Sequence, residues 1–290
     1  MILDLPDLPE LSKEVIAESR KKKQYFPIAF DLYRTTAIVS SSLGCIDRRS
    51  LGLKNIPNIQ LIILRGLLSR ITRLMRTVCR LGGERQDKEA ILILSRCILE
   101  TATRILWILN KEQDVRFQTY LNSGLKAEKE LLEEIKKNIV ERGYSIAIEG
   151  RMMASIQRTT QPVGIDIETV KLTKMPKMNE MLEDIGDKEL YLTIQRFPSS
   201  NVHGDWSDIF LNHLEKIEGE LMPKQEEAEA EDIVYLFQSM HVSRALKAVT
   251  LYIIEDIESQ QKIISYCETI HDKALWMVQD SASDEFIKGL

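Results

Sequence analysis

The chain has 290 residues, of which 44% are hydrophobic and 29% are charged, so it can bury a sizeable core and is not disordered as a whole. Its 39 basic and 44 acidic residues leave a net charge of −5, so any binding to nucleic acid must rest on a local basic patch.

Apolar residues recur with helical spacing along most of the chain, and strand signals are almost absent. The predicted fold is therefore all-α, a multi-helix bundle with long antiparallel helices. The predicted helices cover residues 11–22, 28–43, 59–81, 88–110, 115–142, 146–158, 178–185, 188–197, 206–220, 232–257 and 259–278.

Two segments interrupt the helical pattern, residues 159–176 with two prolines and a glycine, and residues 221–232 with a cluster of acids. Both are predicted to be surface connections. We expect a main helical domain over residues 1–220, which holds the candidate site, and a C-terminal helical hairpin over residues 221–290 that packs on the main bundle or extends it.

The predicted location is the cytoplasm, without contact with a membrane. The N-terminus has prolines and acids where a signal peptide has a basic region and an apolar run. The four cysteines are far apart and contain no CxxC pair, which is typical of a reducing compartment. No uncharged apolar run reaches the ~20 residues that span a bilayer.

The predicted helix 59–81 has an apolar face and a basic face. Leucines, isoleucine, methionine and valine recur every three or four positions on one side, and five arginines lie on the other. Arg73, Arg76 and Arg80 are candidate substrate-binding residues, since closely spaced guanidinium groups can bind phosphates. The alternative is a solvated face that is neutralised by the acids of residues 128–134.

The predicted helix 88–110 is apolar nearly all the way round, yet it contains three charged residues. Arg96, Glu100 and Arg104 follow one another at intervals of four residues and fall within a sector of ~80°. Charges in a central helix must be paired or must serve a site. We therefore select Arg96 and Glu100 as candidate catalytic residues and Arg104 as a candidate substrate-binding residue.

A second polar group lies in the segment that follows Tyr191. Pro198 is predicted to end a helix there, leaving a polar loop before the helix that starts at Trp206. The candidate substrate-binding residues of this loop are Ser199, Ser200 and Asn201.

His203, in the same loop, is the best candidate for a general acid or base because imidazole titrates near neutral pH. Arg196 and Arg96 could stabilise a phosphate's developing charge, and Glu100 could orient either partner. In the alternative interpretation, these side chains form a structural polar cluster that joins two helices.

Motifs for metals and for common cofactors are absent from the sequence. The other histidines show no HExxH or Cys/His spacing, and there is no glycine-rich phosphate loop, GxSxG or GxGxxG pattern. We therefore predict no metal site and no cofactor.

The ordered stretches ILILSRCILETATRILWIL, RFQTYL, MPKMNEMLEDIG and ELYLTIQRFPSSNVHGDWSDIFLNHL resemble an uncharacterised family of bacterial helical proteins, a domain of unknown function with an RxxxE helix and an SxxxHG motif. The resemblance covers roughly half of the chain. The chain is also distantly similar to the HEPN superfamily, whose signature is an Arg followed after four to six residues by His, as in Arg196 and His203.

The resemblance to HEPN domains implies an HEPN-like helical core and a metal-independent ribonuclease of a toxin or antiviral defence system, with an active site formed across a homodimer. In this first hypothesis His203 is the general acid or base, and the arginines of helix 59–81 guide RNA. In the second hypothesis the chain is a non-catalytic helical module that binds a partner protein or a small ligand.

Overall fold

The computed structural model describes residues 5–47, 52–83, 87–217, 219–224 and 229–283, and for residues 196–198 and 201 it describes the backbone alone. These residues form two compact units. The first comprises residues 1–109 and 178–290, and the second comprises residues 110–177. The domain boundary at residue 220 stays a prediction.

The described part of the chain is almost entirely helical, which confirms the predicted all-α class. Its helices are α1 (Lys13–Lys22), α2 (Phe26–Gly44), α3 (Asn58–Gly82), α4 (Lys88–Asn110), α5 (Gln113–Gly124), α6 (Lys126–Arg142), α7 (Ala147–Thr160), α8 (Met178–Asp184), α9 (Phe197–His203), α10 (Trp206–Asp208), α11 (Asp232–Ile253) and α12 (Ile257–Ser281).

Short elements complete the structure. There are 3₁₀ turns at Gln161–Val163, Ile167–Thr169 and Lys188–Leu190, π-helical segments at Leu192–Arg196 and Ile209–His213, and a hairpin of β1 (Leu214–Ile217) with β2 (Glu220–Pro223). Within the described residues, none of the helices combines the length and the apolar composition that crossing a membrane requires.

The core of the first unit lies among α2, α3, α11 and α12. The apolar face predicted for α3 is buried in full, and each such side chain contributes ~1.5–3 kcal/mol when it leaves water. α11 packs against both α2 and α12, and the Tyr33 hydroxyl of α2 donates a hydrogen bond of 3.0 Å to Gln238 of α11. The C-terminal helices therefore share a core with the N-terminal ones.

A close approach at the end of α3 depends on Gly82. A side chain at this position would collide with the Tyr235 hydroxyl, and its Cβ would lie 3.2 Å from the Phe30 ring. Tyr235 in turn packs edge-on against Phe30 and Tyr33, with ring centroids 5.5 Å apart in both pairs. Glycine thus allows α3 to end against the aromatic cluster of α2 and α11.

The prediction that Pro198 ends a helix and opens a polar loop is wrong. The chain passes from the π-helical segment Leu192–Arg196 directly into α9, where Pro198 is the second residue. Within a continuous helix a proline removes one hydrogen bond and its ring presses on the carbonyl four residues earlier, and the wider π-helical turn before Pro198 is a place where a helix can take up such a break. The residues 199–203 are therefore helical.

The predicted helix 206–220 is wrong beyond residue 213. Helical structure ends at His213, and β1 and β2 follow as an antiparallel pair in which Leu214 lies opposite Pro223. Gly219 has a φ of +96°, which a hairpin turn uses readily and a right-handed helix does not contain. Glycine in this conformation explains why the helical pattern does not continue.

The second unit contains α5, α6 and α7, where a single helix 115–142 was predicted before α7. The backbone leaves the helical path at Leu125, whose side chain packs with Ile156, Ile167 and Val170. The last two belong to the irregular segment 159–176, so this segment supplies core residues as well as surface ones. Burial of Leu125 in this cluster accompanies the break between α5 and α6.

Candidate functional site

The three charges of α4 are paired with one another. Arg96 Nε donates a hydrogen bond of 2.9 Å to Glu100, and Arg104 lies 3.6 Å from the other carboxylate oxygen of Glu100. The side chains of Arg96 and Glu100 are 17% and 19% exposed, so the pair is largely but not completely buried. Glu100 thus pairs with an arginine one turn away on either side, and the three side chains together keep one positive charge.

His203 is exposed at the end of α9. Among the described side chains, no hydrogen bond or ion pair joins it to Arg96, Glu100 or Arg104. The side chains of Arg196 and Asn201 lie outside the described part. The predicted convergence of Arg196, His203 and the α4 stripe stays a prediction, and the described contacts bring together only the stripe itself.

A pocket of about 320 Å³ opens beside this region, between α4, α11 and the segment that runs from residue 193 to residue 212. We call it the α4–α11 pocket. α4 lines it with residues that recur on one helical face, α11 adds apolar side chains, and the connecting segment adds most of the polar ones. Its lining consists of Lys88, Leu92, Ser95, Leu99, Thr193, Ser200, Ser207, Asp208, Leu211, Asn212, Ile233, Val234 and Phe237.

Of the sequence-predicted residues whose side chains the structure describes, only Ser200 lines this pocket. Sequence reasoning missed the others, although α4 carries a signal. Lys88 and Ser95 fall on the same face as Leu92 and Leu99, and polar side chains within an apolar stripe are typical of a ligand site or of a buried hydrogen bond. The lining residues of α11, which we call the α11 wall, come more than 130 residues after those of α4 in the sequence.

The polar groups of the pocket are held in place by hydrogen bonds. Ser95 Oγ donates to the Ile91 carbonyl at 2.6 Å and accepts from Gln238 Nε2 at 2.7 Å. Lys88 forms an ion pair of 3.0 Å with Glu231. These contacts join α4 to α11 and fix the position of polar atoms in an otherwise apolar lining, which favours one orientation of a bound molecule.

A compact group of titratable side chains adjoins the pocket at Asp208. His213 Nε2 lies 3.3 Å from a carboxylate oxygen of Glu89 and 3.7 Å from one of Asp208. Asp208 Oδ1 also accepts a hydrogen bond of 2.8 Å from Asn212. We call Glu89, Asp208 and His213 the acid–histidine cluster, and it brings together the start of α4 with the segment after α9.

The arginines of α3 divide into two sets. Arg65 donates to the Ile46 carbonyl and Arg70 donates to Thr101 of α4, so both serve the fold. Arg73, Arg76 and Arg80 are exposed, and no ion pair to them is found within the described residues. These three form the α3 arginine row, and the acids that were predicted as an alternative partner belong to the second unit.

Comparison with family models shows to which protein family the chain belongs. A model described as "Family of unknown function (DUF5677)" matches residues 61–221, which is more than half of the chain. The chain belongs to this family. The DUF5677 match covers α3, α4, the acid–histidine cluster and the segment that carries His203, whereas the α11 wall of the pocket lies beyond it. Comparisons with curated proteins and with solved structures gave no match.

Membership in DUF5677 agrees with the predicted resemblance to an uncharacterised helical family. The family description names no activity, substrate or partner, so function must be argued from the residues of the site. The more distant similarity to HEPN domains stays a prediction.

Proposed function

We propose that this chain is a binding module for a small amphipathic molecule, which enters the α4–α11 pocket. The observation that carries the proposal is the lining itself, whose surface is mostly apolar, with six leucine, isoleucine, valine and phenylalanine side chains among seven polar residues. Ligand sites typically have volumes of about 300–1,000 Å³ with a mostly apolar lining and a small number of polar contacts. At about 320 Å³, this pocket has the size for a compact ligand.

The lining also defines the chemistry of the ligand. Hydroxyl groups predominate among its polar side chains, in Ser95, Thr193, Ser200 and Ser207. The two charged residues of the lining already have polar partners, since Lys88 pairs with Glu231 and Asp208 accepts a hydrogen bond from Asn212. An apolar molecule with one or two hydroxyl, carbonyl or amide groups therefore fits better than a polyanion.

The proposal is tested with N-phenyl-1-naphthylamine, a neutral apolar fluorophore. We expect the wild-type protein to bind it saturably, and Val234→Trp, which fills the pocket from α11, to weaken binding at least tenfold. Val140→Trp is the matched control because Val140 is 81% exposed on α6 and does not belong to the pocket lining. Fluorescence titration measures both affinities, and circular dichroism checks that each variant is folded.

Two results would contradict a binding function of this pocket. One is the absence of saturable fluorophore binding to the wild type, and the other is an unchanged affinity in Val234→Trp.

A metal-independent ribonuclease is the second candidate, and the exposed His203 together with the α3 arginine row supports it. An exposed imidazole can exchange protons with a substrate, and three exposed guanidinium groups can attract a phosphate backbone. The homodimer, the role in defence and the cytoplasmic location belong to this candidate as predictions.

The ribonuclease candidate predicts cleavage of RNA in the presence of EDTA. His203→Ala is expected to abolish cleavage while the melting temperature stays within about 1 °C, because an exposed side chain contributes little to stability. His271→Ala is the matched control, since His271 lies on α12 and is not a member of the proposed site. Gel analysis of a labelled RNA measures the rate, and equal cleavage by His203→Ala and wild type would exclude the candidate.

A further inference from the structure

The acid–histidine cluster combines three potential ligand atoms from three different elements. Glu89 lies in the first turn of α4, Asp208 ends α10, and His213 ends the π-helical segment Ile209–His213. One ligand atom from each of the three side chains lies within 4.8 Å of the other two. Such convergence of residues that are distant in sequence is a property of the fold and could not be found from motif spacing.

The geometry of the cluster differs from that of an ordinary hydrogen bond. Two carboxylate oxygens, one of Glu89 and one of Asp208, face the same nitrogen of His213 at 3.3 Å and 3.7 Å. A single Nε2 atom has one proton or one lone pair and cannot serve both oxygens well. By contrast, ligand atoms about 2.0–2.1 Å from a tetrahedral metal ion lie about 3.4 Å from one another.

Electrostatics also favours a cation in this place. The Asp208 side chain is only 1% exposed, and its carboxylate lies within 4.8 Å of that of Glu89. Two carboxylates at this distance repel each other strongly in a partly buried environment unless a positive charge lies between them.

We propose that Glu89, Asp208 and His213 form a binding site for a divalent metal ion, with Zn²⁺ as the best fit. One imidazole nitrogen and two carboxylate oxygens are ligands that Zn²⁺ accepts, and three protein ligands leave a fourth position for water or another molecule. Asn212, which donates to the second oxygen of Asp208, orients this carboxylate as outer hydrogen-bond partners do in metal sites. The metal site does not depend on ligand binding in the α4–α11 pocket, although Asp208 belongs both to the acid–histidine cluster and to the lining of the pocket.

Calorimetric titration of Zn²⁺ into the full chain, after treatment with EDTA and dialysis, tests the proposal. We expect one ion per chain with a dissociation constant in the micromolar range or below, and affinities at least tenfold weaker in His213→Ala and in Glu89→Gln. Glu89→Gln is the conservative variant. Because the Glu89 side chain is 40% exposed, we expect this change to leave the fold intact even if His213→Ala disturbs it. His271→Ala is the matched control and should bind as the wild type does.

Titration with Co²⁺ gives a second readout, because a tetrahedral site produces intense visible absorption that an octahedral, water-filled one does not. We expect this absorption in the wild type and in His271→Ala, and its loss in His213→Ala. The proposal is overturned if the wild type shows no saturable binding, or if His213→Ala and Glu89→Gln bind Zn²⁺ as tightly as the wild type. Fluorophore binding to the α4–α11 pocket is measured separately, so failure of one proposal does not decide the other.

Discussion

Acidification is expected to destabilise this protein through one buried side chain, His241. The residue lies on α11 with 2% of its surface exposed, and its Nε2 is 2.8 Å from the Thr103 hydroxyl of α4. Burial, assisted by the charge of Arg244, lowers the pKa of His241 from 6.5 to about 3. The protonated ring carries an N–H on both nitrogens, and Nδ1 is buried and has no hydrogen-bond partner among the described residues.

The sign of the effect follows from proton binding in the two states. Between pH 6.5 and about 3, the unfolded chain binds a proton at this histidine and the folded chain does not, so stability falls as the pH falls. The contribution of His241 is intact above pH 6.5. Each pH unit within the window should remove about 1.4 kcal/mol from the free energy of unfolding, and the whole window about 4–5 kcal/mol.

Urea unfolding between pH 7 and pH 5 measures this dependence before most carboxylates titrate. The wild type should lose stability progressively below pH 6.5, and His241→Gln should lose most of the slope, whatever its stability at pH 7. His271→Ala, which alters a histidine on the partly exposed face of α12, should keep the wild-type slope. If wild type and His241→Gln show equal slopes, the assignment to His241 is wrong.

Asp280→Ala should produce the second large effect, a loss of about 3 kcal/mol in the free energy of unfolding. Asp280, near the end of α12, accepts hydrogen bonds of 3.1 Å and 2.5 Å from Arg20 of α1 and one of 2.6 Å from the buried Tyr25 hydroxyl. The Arg20 guanidinium, above all, lowers the pKa of this carboxyl group. Removing the carboxylate leaves the tyrosine hydroxyl inside the protein without this acceptor.

Glu268→Ala provides the control for this prediction. Its carboxylate forms an ion pair of 2.6 Å with Lys247, but both side chains are more than a third exposed, and surface pairs contribute at most about 1 kcal/mol. Denaturant midpoints of the two variants at pH 7 give the comparison. A loss in Asp280→Ala no larger than that in Glu268→Ala would contradict the structural role of Asp280.

The helices with the strongest apolar periodicity could be predicted from the sequence. α4 has the predicted limits, and α3 differs from its prediction by one residue at either end, because a continuous apolar face is a property of local sequence. The region after Trp206 could not be predicted in this way. It has short runs of mixed polarity, and a single glycine with positive φ decides between a helix and a hairpin.

The candidate site was less accessible to prediction than the fold. The pairing of Glu100 with Arg96 follows from their spacing of four residues, which the sequence displays. The α4–α11 pocket and the acid–histidine cluster depend on how distant segments pack. Nothing in the spacing of Glu89 and His213 indicates that their side chains lie 3.3 Å apart.

The first unit consists of two stretches of chain, and this has a consequence for synthesis on the ribosome. Tyr33 and Asp280 find their partners, Gln238 and Arg20, across more than 200 residues. α2 and α3 can pack against each other early, but at ~5–20 residues per second they wait roughly ten seconds or more before α11 and α12 cover the rest of their apolar surface. We expect the nascent chain to bind chaperones over this interval and to fold only after α12 has left the ribosome.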